Sequence, residues 1–176
     1  ATVSGDLTVT GNMTSANQGL TLVKTQTIGS GVSSVTVTGA FSATFDNYTV
    51  VITDIVSSNT AASFWIRLGS VASNHYGRAY GIKYDGTVTN LSANNTVWAP
   101  IGLVSSAGDM GATVQIYSPY SASTRTKYSS QGHGDGSFIV GAGQRNVAFS
   151  MGQFTLLPGS GTITGGTIRV YGYNDG

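Results

Sequence analysis

The chain has 176 residues, with eight Lys and Arg against seven acids, all of them Asp, and no Cys. Charged residues make up 9% and apolar ones 40%, so disorder is excluded, and no basic block marks a nucleic-acid or anionic-membrane partner. Without Cys there are no disulfides, thiolate metal sites or cysteine nucleophiles.

Gly, Ser and Thr are abundant and Glu is absent. Such a composition disfavours helix and suits the pleated, half-buried surface of a strand. The chain is expected to be one domain with a short appendage. Residues 1–19 are polar and punctuated by Gly, Asn and Ser, with one weak strand, LTVT, inside GDLTVTGN. An isolated strand of this kind has little to bury. In an assembly of three chains, Leu7, Val9 and Met13 can meet around a shared axis. The segment therefore reads as a stalk, and the chain as a piece of a longer fibre.

From Leu20 the rhythm changes. LTLVKTQTI (20–28), SSVTVTGAF (33–41) and NYTVVITDIV (47–56) alternate apolar with polar residues. SFWIRLGS (63–70) is more continuous and predicts a strand buried on both faces. YGRAYGIKY (76–84) places Tyr76, Arg78, Tyr80, Ile82 and Tyr84 on one face. TVWAPIGLV (96–104), ATVQIYS (112–118), TRTKYSS (124–130), NVAFSMGQFTLL (146–157) and GTIRVYGY (166–173) follow. Short alternating runs between turn residues predict a β-sandwich of about 8–10 strands over residues 20–176. GAGQRN (141–146) lacks the third Gly and the following helix of a dinucleotide fingerprint, and reads as a hairpin loop.

Enzyme motifs are absent: no phosphate-binding loop, zincin helix, nucleophile elbow or EF-hand. HGDG (133–136) has no third ligand near it in sequence, and Asp85, Asp109 and Asp135 stand beside Gly as turn residues do. No metal or cofactor is expected. The four N-x-[ST] sequences, at Asn12, Asn47, Asn90 and Asn94, fit chance in so Thr-rich a chain.

Aromatic residues remain. Phe64, Trp65, Phe149, Phe154 and Tyr171 lie in strand patterns and are expected in the core. Those in or beside loops pair an apolar face with a polar handle, which suits a sugar ring. They fall in SNHYGR (73–78), ANNTVW (93–98), SPYSASTR (118–125) and QGHGDG (131–136). The candidate ligand-binding residues are His75, Tyr76, Arg78, Trp98, Tyr120, Arg125 and Asp135.

Several stretches carry a resemblance. GDLTVTGN resembles the short β-repeats of bacteriophage tail-fibre stalks. LVKTQTIGSGVSSVTVTGAFSATFDNYTVVITDIVSSN (22–59), FWIRLGS with its Arg, SNHYGR, the Lys-bearing TRTKYSS and the closing LLPGSGTITGGTIRVYGYN (156–174) resemble a C-terminal domain of phage appendage proteins. The likeness covers residues 20–176 apart from 85–111, and carries over no catalytic or ligand residues. It implies a jelly-roll-like β-sandwich, a homotrimer, and a place at the tip of a virion tail fibre. The implied partners are the rest of the fibre and a bacterial surface polysaccharide or lipopolysaccharide, bound without catalysis and without membrane insertion. A purely structural virion part, a glycan-cleaving tailspike and a cellular carbohydrate-binding module are the alternatives.

Overall fold

The computed structural model describes residues 19–59, 62–71, 73–96, 99–104, 110–134 and 136–174. The expected stalk strand lies outside them. The described residues form two antiparallel sheets and no helix. The strands are β1 (Leu20–Thr27), β2 (Val35–Thr38), β3 (Asn47–Ser57), β4 (Ala62–Leu68), β5 (His75–Lys83) and β6 (Val88–Thr96). Next come β7 (Ala99–Val104), β8 (Met110–Tyr117), β9 (Lys127–Gly134), β10 (Ser137–Arg145), β11 (Gln153–Pro158) and β12 (Ile163–Tyr173).

The larger sheet runs β1-β12-β3-β8-β9-β10-β5-β6, the smaller β2-β11-β4-β7. Setting aside the hairpins β5–β6 and β9–β10 leaves β1-β12-β3-β8 facing β2-β11-β4-β7. Four strands face four, and the chain crosses between the sheets at every step of this reduced order except β4 to β7, which are neighbours in the smaller sheet. That is the jelly-roll sandwich. The two extra hairpins pair with each other and prolong the larger sheet by four strands.

The core lies between the sheets. Val50, Ile52, Val114, Ile116, Ile168 and Val170 of the larger sheet meet Phe64, Ile66, Leu68, Phe154 and Leu156 of the smaller. Each of these strands alternates inward apolar with outward residues, as a sheet packed on one face must. β4 follows this rule too: Phe64, Ile66 and Leu68 are buried while Ser63, Trp65 and Arg67 are partly covered, so it is not buried on both faces. Phe64 and Phe154 are core residues. Trp65 and Tyr171 are only half-buried. Phe149 lies outside the strands and is 50% exposed, because the chain turns over residues 146–152 before β11 begins. Tyr48 closes one end of the core. Its hydroxyl accepts from the Ser42 amide at 2.8 Å and donates to the Ser42 carbonyl at 2.9 Å.

The inserted hairpins are covered on their inner side by β7. Several of their inward residues are small, Gly77, Ala79 and Gly81 on β5 and Gly141 and Gly143 on β10, beside the larger buried Tyr128 and Ile139. This corrects the reading of GAGQRN as a hairpin loop, since Gly141 through Arg145 belong to β10. A side chain at Gly143 would strike the Tyr76 carbonyl, the Tyr128 ring and the Gly77 backbone; at Gly141 it would strike Ser130 and Ala79. The glycines are there because two strands and a tyrosine close on one another, not because the chain turns.

Strand register sorts the connections into two ends. The β4–β5, β8–β9 and β10–β11 connections lie at the end where Leu20 pairs with Tyr173. The β5–β6 and β9–β10 turns and the β11–β12 connection lie at the other.

Candidate functional site

The outer face of the inserted hairpins is uncovered. On β5, Tyr76, Arg78, Tyr80 and Ile82 alternate with the buried or glycine positions, as the sequence alternation requires. Register carries the face across neighbouring strands. Tyr80 stands opposite Val140 of β10 and Asn90 of β6, and Ile82 stands opposite Phe138 and Val88. Tyr80, Ile82, Val88, Phe138 and Val140 are each about half exposed, at 51%, 46%, 49%, 47% and 41%. Contiguous apolar surface of this kind marks interaction sites on soluble domains.

Towards the Leu20 end the face becomes polar and aromatic. Tyr76 pairs with Gln144, Gln144 with Lys127, and Lys127 with Tyr117, one row across β5, β10, β9 and β8. Arg78 lies one step along, opposite Ala142. These residues line a shallow cleft of about 670 Å³. Its floor is flat because Ala142, opposite Arg78, is short, and Gly77 and Gly143 let the Tyr128 ring lie close beneath the sheet. Beneath, Tyr128 fills the space, its hydroxyl donating to the Pro100 carbonyl at 3.1 Å. Gln144 is held by its own amide, which donates to Asn146 Oδ1 at 3.2 Å.

A second depression, about 400 Å³, lies on the same face between Phe138, His133, Gln131, Thr113 and Val51. It exists because Gly111 has no side chain: the His133 ring lies over that position. A third, about 480 Å³, gathers Tyr120, Ser121 and Thr124 with Ser42, Asp46 and Asn47. Here Ser121 Oγ accepts from the amides of Ser123 at 3.3 Å and Thr124 at 3.0 Å, and Ser150 Oγ donates to the Tyr120 carbonyl at 2.9 Å.

The structure thus brings Tyr76 and Arg78 into one cleft and puts Tyr120 in another. Arg125 is exposed on the β8–β9 connection. His75 faces inward and is fully buried, its Nε2 accepting from the Leu68 amide at 3.0 Å. It ties the corner between β4 and β5 and presents nothing to the surface. Trp98 and Asp135 lie outside the described residues. Lys127, Tyr117 and Gln144 escaped the sequence reading. Lys127 was visible as the cation in TRTKYSS, but its closeness to Tyr76 depends on β10 lying between them.

Arg145 is the most constrained charge. It is 3% exposed, and its guanidinium lies 5.1 Å from the centre of the Phe149 ring. Its Nε and Nη1 are buried without a hydrogen-bond partner, and burial lowers its pKa. Among the described residues no cluster of His or Asp is arranged to hold a metal ion. No family model, no curated protein and no solved structure matches the chain.

Proposed function

We propose that the chain is the receptor-binding tip of a bacteriophage tail fibre, attaching the virion to a bacterial surface glycan without cleaving it. The observation that carries this reading is the uncovered outer face of the two inserted hairpins. A jelly roll needs neither hairpin for its core, yet both are retained and display Tyr, Phe, Arg, Lys, Gln and Asn to solvent. Aromatic faces beside hydrogen-bonding groups suit sugar rings. The resemblance of residues 20–176, apart from 85–111, to phage appendage domains supports the same role.

The domain works as a homotrimer joined through residues 1–19 to the rest of the fibre. Three equal, weak sites then act together, and linkage raises avidity well beyond one site. β1 begins at one end of the sandwich, and the β5–β6 and β9–β10 turns lie at the other.

Labelled full-length protein is added to a panel of bacterial strains, and the surface polysaccharide of a bound strain is assayed for new reducing ends. Saturable binding without new reducing ends is the expected result. New reducing ends make the protein a tailspike. Absence of binding to any strain makes it a structural virion part.

A further inference from the structure

We propose that the cleft between Tyr76, Arg78, Tyr117 and Lys127 binds an acidic saccharide unit of the surface glycan, its anionic group held by the two cations. This rests on the adhesion reading above and names the chemistry of its site.

Charge is the first argument. The chain has eight Lys and Arg against seven Asp, close to balance. Two of the eight nevertheless line one cleft that no Asp lines. Arg78 and Lys127 are both exposed. An anion seated between them is attracted by both.

Spacing is the second. Tyr76, Gln144, Lys127 and Tyr117 stand on four successive strands. At about 4.8 Å per strand the two tyrosines lie about 14 Å apart. Arg78 stands two residues, or about 7 Å, along β5 from Tyr76. Aromatic walls thus bracket a space in which a carboxylate or phosphate reaches both cations. Arg can grip it with two parallel N–H bonds, while Lys contributes a point charge. Gln144, already held by Asn146, offers its carbonyl oxygen to a sugar hydroxyl.

Rigidity is the third. The floor is a sheet backbone whose underside is filled by the Tyr128 ring, so the cleft is formed before the ligand arrives. Little ordering cost then subtracts from the affinity.

The test uses the full chain on an array of purified capsular polysaccharides and lipopolysaccharides, some with hexuronate, some with phosphate and some neutral. Alongside it run Arg78→Gln/Lys127→Gln and, as a distant control that removes one positive charge elsewhere, Lys24→Gln. The expected result is binding to acidic members, at least tenfold weaker for the double variant, unchanged for Lys24→Gln, and falling with added NaCl. Loss of binding after carboxyl reduction of the polysaccharide identifies a uronate, and loss after dephosphorylation identifies a phosphate. Equal binding of neutral members, or a double variant that binds like the parent, overturns the cleft assignment and leaves adhesion standing. A parent chain that binds neither the array nor any cell overturns both.

Discussion

Tyr128 of the eight-stranded sheet donates its hydroxyl, at 3.1 Å, to the carbonyl of Pro100 in the four-stranded sheet. The phenol is 2% exposed and passes beneath Gly77 and Gly143. One side chain therefore links the sheets, fills the space that the glycines leave, and supports the cleft above. Burial pushes its pKa well above the usual tyrosine range.

That shift has a sign. The unfolded chain ionises this phenol near about 10. Above that pH the unfolded state has lost a proton that the folded state keeps, so stability falls as pH rises. Tyr128→Phe removes this alkaline component. At neutral pH it costs about 1–3 kcal/mol, because a buried carbonyl loses its donor. Urea denaturation of both proteins at pH 7 and pH 11 checks this: the gap between them narrows at pH 11.

Gly143→Ala destabilises by about 2–3 kcal/mol. The added methyl meets the Tyr76 carbonyl and the Gly77 backbone, which cannot swing aside as a flexible side chain would. Thermal denaturation reads the loss. Gly29→Ala, where the methyl meets nothing within 4 Å, is the contrasting variant and changes stability little.

Arg145→Met leaves stability unchanged or raises it by about 1–3 kcal/mol. A buried cation whose Nε and Nη1 lack hydrogen-bond partners costs more in desolvation than its contact with Phe149 returns, and Met fills similar space. Arg145→Ala, which leaves a cavity, lowers stability. Chemical denaturation of the three proteins checks the order.

Asp85 Oδ1 accepts from the Thr87 amide at 2.8 Å in the β5–β6 turn. This bond holds the Asp85 carboxyl below the usual value of 3.8. Its small contribution is present above the ordinary carboxylate range and is lost as the pH falls below it. In an NMR titration the Thr87 amide resonance shifts only in this acidic range, and it does not titrate in Asp85→Asn.

On the homotrimer reading proposed above, a chain beginning at Leu20 keeps the sandwich, since every described core contact lies after that residue, and forms weaker trimers. Light scattering over a dilution series compares it with the full chain. Equal trimer stability removes residues 1–19 from the assembly.

Much of the scaffold was legible without coordinates. Alternation in segments such as NYTVVITDIV and YGRAYGIKY is a local property, and a sheet packed on one face has to show it. Together with the continuous apolar run SFWIRLGS, it placed β1–β5, β7–β9, β11 and β12 and put Tyr76 and Arg78 on a common face. β6 was missed because VTNLSANNT is an edge strand with mostly exposed polar residues. β10 was missed because two of its inward positions, Gly141 and Gly143, are glycines, and GAGQRN reads as a turn until Tyr128 is found against Gly143.

The sequence by itself determined that the chain is an all-β sandwich and which faces of most strands are apolar, because both follow from residue order along a single strand. Only the tertiary structure decided that two hairpins extend one sheet, that His75 is buried and Phe149 is not, and that Lys127 and Tyr117 share a cleft with Tyr76. Those depend on which strands become neighbours. In this fold β5 lies beside β10 and β8 beside β3, far apart in the chain, and such pairings come from packing across the whole core.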